Sequence, residues 1–233
     1  MSASRASQLF REYRGLILFI GLMLIFRSAC ADWMTVPTGS MNPTIVEGDR
    51  IFVNKHAYGW RIPFTFTRIT NGADPKRGEI AVFYSPLATN GIPLVKRVIG
   101  VPGDTVEMRD EVLYINGQAQ HYERDTHSHD LLNTTARLDH VFYTEELATP
   151  HNAVDHSVMF LPDRMAMRNF GPVNVTAGHY LMLGDNRDNS GDSRYIGLVP
   201  RRNFVGRASE VVVSLNPEKW YLPRIDRIWV PLI

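Results

Sequence analysis

The chain has 233 residues, 44% of them apolar, which at roughly 100–200 residues per domain is one domain or one and a half with a real core. A charged fraction of 21% is too low for a disordered solvating chain, and a formal net charge of +1 offers no global field for nucleic acid. The single cysteine, Cys30, excludes an intramolecular disulfide framework and a cysteine-rich zinc site.

Residues 1–14 are polar and set Arg5, Arg11 and Arg14 against Glu12 alone. From Gly15 to Phe26 there is no polar side chain, and Arg27 closes the run. The run alone has the length of a signal-peptide core and falls short of the ~20 residues of a membrane span. Extended over residues 9–31 it reaches spanning length. Arg14 and Arg27 then snorkel to the two faces, and Trp33 sits at the outer interface. The positive charge before the run directs the N-terminus to the cytoplasm and everything after it across the membrane. The residues alone leave two further readings open. Ala29-Cys30-Ala31 fits a small-x-small cleavage site, and Ser28-Ala29-Cys30 faintly resembles a lipid-attachment motif with Arg27 in place of an aliphatic residue.

Beyond the run, strand patterns dominate: Arg50–Asn54, Glu79–Tyr84, Leu94–Val101, two runs within Thr105–Ile115, Tyr180–Leu183 and Ala208–Ser214. Asn116-Gly117 is a strong hairpin signal, and Asn71-Gly72 and Pro102-Gly103-Asp104 are further turns. Residues 118–178 differ: they are polar, weakly periodic and hold six of the eight histidines, as an insertion between two halves of a core would. His127-Ser-His129-Asp130 could hold a metal ion, but with no third placed ligand a solvated loop is the better reading.

Three segments carry chemistry. Ser40 lies in Val36–Thr44, where Gly39 permits a tight turn that presents the hydroxyl; an ordinary Ser/Thr/Pro-rich turn has the same residues. No Gly-x-Ser-x-Gly elbow is present, and neither His56 nor His179 sits in a triad pattern. Lysine is the other possible base. Lys96 lies in an apolar strand, either on its solvent face or buried, and burial would bring its pKa from about 10.4 towards 7. Gly184–Tyr195 holds three aspartates and two arginines at spacings that miss a calcium loop, so Arg–Asp contacts bracing a loop fit better.

Pro37-Thr-Gly-Ser-Met-x-Pro-Thr44, Gly48-Asp-x-Ile-x-Val-Asn-Lys55, Lys96-Arg-Val-Ile-Gly-Val-Pro-Gly-Asp104 and Gly184–Tyr195, in that order, resemble the signature boxes of bacterial type I signal peptidases, or leader peptidases. The resemblance covers the anchor and most of residues 33–113 and 180–215, whereas residues 118–178 match only as a variable insertion.

The resemblance implies a mostly β fold, with a signal-peptidase-like catalytic core (33–113 and 180–233), an inserted, more variable β-rich domain (114–179), and a cytoplasmic tail with one transmembrane helix (1–32). It implies Ser40 as nucleophile, Lys96 as general base, and an oxyanion hole of the Thr38 hydroxyl with the Ser40 amide. Ser190 would orient the lysine, and an Asp192–Arg194 salt bridge would support the loop. Met34 and Val36 on one strand, with Pro93, Leu94 and Val95 on another, would wall the substrate pockets. The implied reaction removes signal peptides after a small-x-small motif at the outer, periplasmic side of the bacterial inner membrane. Its partners are signal-peptide-bearing preproteins and the lipid bilayer, with no nucleic acid, cofactor or metal, and the chain is expected as a monomer. Lys55, at a strand end before His56, should be wetter than Lys96 and is not the expected base. Trp60, Phe64, Phe66, Trp220 and Trp229 form either a surface that dips into the membrane interface or ordinary core. A Ser–Lys protease maturing a conjugation or pilus protein, and a non-catalytic membrane-anchored binding protein, are the rival functions.

Overall fold

The structure, a computed structural model, describes residues 2–63, 65, 67–87, 91–125, 140–149 and 153–232. Phe64, Phe66 and the His127–Asp130 cluster lie outside the described residues. The chain opens with α1 (Ser2–Ala29). From Leu16 to Phe26 every large apolar side chain is at least 42% exposed, so the helix is apolar all round and packs against nothing here. Lys55 terminates it. Its Nζ donates to the last carbonyls, Arg27 O at 2.9 Å and Ser28 O at 3.4 Å, where the helix end carries unpaired acceptors and partial negative charge. Asp32 binds both Arg27 Nε (2.7 Å) and Lys55 Nζ (3.2 Å).

The expected span over 9–31 needs correction at its C-terminal end. The helix stops at Ala29, and Ala31 opens a strand because its backbone finds a partner there. Among the described residues no helix is long and apolar enough to cross a membrane, since Arg11, Glu12, Arg14 and Arg27 bracket the apolar run closely.

The strands that follow are β1 (Ala31–Thr35), β2 (Asp49–Asn54), β3 (Ile80–Tyr84), β4 (Pro93–Gly100), β5 (Thr105–Arg109), β6 (Val112–Ile115), β7 (Gln118–Ala119), β8 (His121–Arg124), β9 (Val141–Ala148), β10 (Ala153–Phe160), β11 (Phe170–Asn174), β12 (His179–Leu183), β13 (Val199–Pro200), β14 (Phe204–Asn216), β15 (Leu222–Pro223) and β16 (Val230–Pro231). A one-turn helix, α2 (Ser193–Ile196), follows β12. The large sheet runs β1-β2-β14-β3-β4-β12-β13, with β15 and β16 both on β14. Smaller sheets run β11-β5-β6-β7 and β10-β9-β8. The chain is therefore mostly β, as expected.

Placement follows patterning. β3 lies between β14 and β4 and reads as an unbroken apolar run, as a strand covered on both faces must. In β2, Asp49, Ile51 and Val53 alternate inward. The Asn116-Gly117 hairpin forms, with φ of 54° and 79° at its two corners and Ile115 paired with Gln118. β14 spans thirteen residues against the seven expected, because pairing with β2 on one side and β3 on the other extends it. In the four-stranded sheet β5 and β6 join β7 and β11. That sheet shares one apolar cluster with the large sheet, Val106, Met108 and Leu113 meeting Ile99, Leu181 and Leu183. Gly100 permits the approach, since a Cβ there would lie 2.9 Å from both Val106 and Val175.

Trp60, Trp220 and Trp229 are 52%, 94% and 65% exposed, which settles them as surface and not core.

Candidate active site

The Ser40 segment is a turn pinned from both sides. Val36 donates to Asp49 O at 2.9 Å as β1 ends, and Asn42 N bonds Gly39 O at 3.1 Å. Met41 and Ile45 are buried beneath the turn, while Ser40 stays partly accessible. Asn186 reaches over from the other side. Its Nδ2 donates to Gly39 O at 3.0 Å and its backbone N to Ser40 O at 3.3 Å.

Lys96 stands in β4, opposite Ala81 of β3, and is 3% exposed. Its Nζ lies 2.6 Å from Ser40 Oγ and 2.8 Å from Val95 O. Burial lowers its pKa to about 8, and Asp192 and Asp185 partly offset that by favouring the charged form. An amine tuned this way can be neutral near physiological pH and take a proton from the hydroxyl it touches. Lys55 is wetter, with 13% of its side chain exposed, but it is held by the end of α1 and Asp32.

The loop from Gly184 to Tyr195 sits across this pair. Asp192 caps α2 and accepts from Gly184 N at 3.0 Å, and Arg194 grips it through Nε at 2.9 Å and Nη2 at 2.8 Å. Ser190 is buried, but among the described residues its Oγ has no hydrogen-bond partner and the expected bond to Lys96 is not made. Gly184 makes the closeness possible: a Cβ would sit 2.3 Å from Ser190 Oγ and 2.4 Å from Ser40 O. Thr38 is exposed on the turn before Ser40.

Met34 packs on the apolar cluster under β1, and Val36 is buried in it. Among the described strands β1 pairs with β2 alone. Pro93, Leu94 and Val95 pair with β3 on one side, whereas β12 reaches only Arg97 to Gly100 on the other. Among the described strands, both expected walls thus carry an edge with no strand paired to it.

Several buried groups were not singled out from the sequence. Arg97 binds Asp185 twice, Nε to Oδ1 at 2.9 Å and Nη2 to Oδ2 at 2.7 Å, and Thr44 donates to the same carboxylate at 2.5 Å. Burial opposes ionisation of Asp185, but the Arg97 guanidinium and the hydrogen bonds outweigh it and hold its pKa below the usual carboxylate range. Arg187 pairs with Glu145, and Asp188 with Arg168. Among the described residues no cluster of side chains could hold a metal ion.

A serine hydroxyl on the amine of a buried lysine is the geometry of nucleophilic hydrolases that use lysine as base. Residues 10–213 match the family described as signal peptidase, peptidase S26. A signal peptidase I of Pseudomonas aeruginosa is 37% identical over 226 residues, 92% of this chain and 75% of that protein. One from Rickettsia typhi is 32% identical over 226 residues, 90% of this chain and 82% of its own length. A crystal structure of a signal peptidase I from Enterococcus faecalis V583 is 34% identical and covers 59% of this chain and 98% of that one, with a TM-score of 0.36. The chain belongs to the signal peptidase family, peptidase S26, and is a hydrolase, a serine peptidase.

Proposed function

We propose that the protein is a membrane-anchored endopeptidase that removes signal peptides from exported preproteins after a small-x-small motif, with Ser40 as nucleophile and Lys96 as general base. The observation that carries this reading is the 2.6 Å contact between Ser40 Oγ and the Nζ of a lysine that is 3% exposed. Neutral Lys96 takes the Ser40 proton as Oγ adds to the scissile carbonyl carbon. The Ser40 amide and the Thr38 hydroxyl receive the oxyanion. Protonated Lys96 returns the proton to the departing amine, leaving an acyl-enzyme. Water, deprotonated by the same Nζ, then releases the acid and restores Ser40.

The free edges of β1 and of Pro93–Val95 suit an extended peptide that adds as a strand between them. Met34, Val36, Leu94 and Val95 would offer the apolar pockets for small side chains. Ser190, with its free hydroxyl, would turn to Lys96 when substrate excludes water, and the Asp192–Arg194 pair would hold the loop in place.

The anchor is α1, at the inner membrane of the bacterium, with the N-terminus cytoplasmic and the catalytic part outside. Its support is the run Gly15–Phe26, which has no polar side chain and whose large apolar side chains are each at least 42% exposed. Arg14 and Arg27 lie about 20 Å apart along it and would reach the headgroups by snorkelling. Trp220 and Trp229 would rest in the interface. The test incubates the detergent-solubilised protein with a preprotein and sequences the new N-terminus. One cut after a small-x-small motif is expected, and a Ser40→Ala protein that still cuts would overturn the reading.

A further inference from the structure

Strands β8, β9 and β10, within the stretch that carries no family motif, reach the Gly184–Tyr195 loop through one carboxylate. Glu145 on β9 is fully buried and accepts from both Nη1 (3.0 Å) and Nη2 of Arg187, and from the Tyr122 hydroxyl of β8. His156 on β10 stands beside it, with Nε2 3.1 Å from Glu145 Oε2 and 4.0 Å from Asp185 Oδ1, aligned as a hydrogen bond with neither. Asp185 in turn holds Arg97, the neighbour of Lys96. The backbone repeats the join: Met159 N bonds Asp185 O, and Arg187 N bonds Met159 O, each at 2.8 Å.

The loop is therefore gripped from two sides. Arg97 takes Asp185 from the core sheet, and Glu145 takes Arg187 from the inserted sheet. Between these two residues lies Asn186, which holds the carbonyls of Gly39 and Ser40. Two arginines and two carboxylates, none more than 1% exposed, balance one another in charge. For holding sheets together, apolar side chains of similar volume would serve at least as well, because buried charges lose their hydration. What the ion pairs add is fixed geometry: a bidentate guanidinium admits one register of the loop.

We propose that Glu145 is a positioning residue for peptide hydrolysis. The inserted sheet, through the Glu145–Arg187 pair, sets the loop that places Asn186 on the Ser40 turn and Asp185 on the Lys96 strand. The proposal rests on the reading of Ser40 and Lys96 as nucleophile and base.

The test uses the full chain in detergent with a signal-peptide-bearing preprotein, comparing the parent protein, Lys96→Ala, Glu145→Gln and Glu145→Asp. A misplacement of about 1 Å costs on the order of 10²-fold in rate, so Glu145→Gln should lower kcat by about 10- to 100-fold. KM should stay within about threefold, since Glu145 touches neither free strand edge. The acid limb of kcat/KM should also move to lower pH, because the cluster containing Asp185 has lost a negative charge. The groups facing Glu145 are Arg187 of the loop, Tyr122 of β8 and His156 of β10, and His156 lies 4.0 Å from Asp185, which binds Arg97 of β4. Glu145→Asp keeps the charge but falls short of Arg187, so kcat should drop with the acid limb in place.

A Glu145→Gln protein that is folded by circular dichroism and has the parent kcat overturns the proposal. So does a kcat loss with an unmoved acid limb, which would make Glu145 a packing residue. If Glu145→Gln does not fold, Glu145→Asp decides: reduced kcat at constant KM supports the proposal, and parent kcat overturns it. A parent that fails to cut, or a Lys96→Ala protein that cuts, brings down the underlying dyad instead, a result distinct from either of these.

Discussion

Lys96 shows how burial makes a base. Its pKa falls from 10.5 to about 8, a net shift of about 3 kcal/mol in which burial outweighs the two nearby carboxylates. The sequence pointed to a value nearer 7; Asp192 and Asp185, both buried, hold part of the charge and account for the gap. At pH 7 about a tenth of the lysine is then neutral. Since the neutral form is the reactive one, kcat/KM should rise about tenfold per pH unit and level off near pH 8. A limb near pH 5 in the measured profile would remove Lys96 as the base. Lys96→Ala should abolish cleavage in a folded protein, whereas Lys55→Ala should keep most activity and loosen the end of α1. Ser190 separates stability from function. Its hydroxyl is buried without a partner, so removing it leaves nothing unpaired. Ser190→Ala should therefore melt within about 1 kcal/mol of the parent or higher, yet cut at least about tenfold more slowly. Calorimetry alongside a cleavage assay checks both, and a fall in stability without a fall in rate would assign Ser190 a structural role.

At the scale of elements, the Gly184–Tyr195 loop does the joining. It leaves β12, touches the Ser40 turn through Asn186, and ends in α2 capped by Asp192. Gly184 is its tightest point, because an added methyl would meet Ser40's own carbonyl oxygen, a backbone atom that cannot swing aside. Gly184→Ala should displace that turn, cost about 1–3 kcal/mol of stability and lower kcat on the order of 10²-fold. Unfolding midpoints and steady-state rates test this, and parent-like rates would mean that the turn has slack. The Arg27–Asp32–Lys55 cluster works differently. It ends α1 by satisfying carbonyls, which fixes where the helix hands over to β1 and hence how near the helix lies to Ser40.

For the whole molecule, the buried ionic network predicts the response to acid. The carboxylates of Asp185 and Glu145 have folded pKa values below their unfolded ones: burial opposes ionisation, but Arg97 and Arg187 outweigh it. Such groups stabilise the fold above the unfolded carboxylate pKa, about 4, and that contribution is lost as pH falls through the folded values. His156 acts earlier and in the same direction. Burial and the nearby Arg97 lower its pKa, so the unfolded chain binds a proton below about pH 6.5 that the folded chain refuses. Urea midpoints should decline gently from pH 6.5 and steeply below 4. His156→Gln should remove the first decline and leave the second. A flat profile down to pH 3 would mean the network is not ionised.

What the sequence determined by itself is the chemistry that is local or ordered along the chain. The Ser40 turn, the lysine in an apolar strand and the Asn116-Gly117 hairpin follow from neighbouring residues, whereas the Asp192–Arg194 pair was implied by the resemblance of the ordered boxes to a known family. The tertiary structure decided the rest. Arg97 and Asp185 are 88 residues apart and Glu145 and Arg187 are 42 apart, and each looks like any charged residue until the sheets bring it to its partner. The turn at Asp110-Glu111, with φ of 46° and 71°, forms without a turn signal because β5 and β6 pair around it. The strands β8 to β11, weakly periodic in sequence, exist because each finds a neighbour. Register and burial are properties of pairs of segments, and a single segment carries only half of that information.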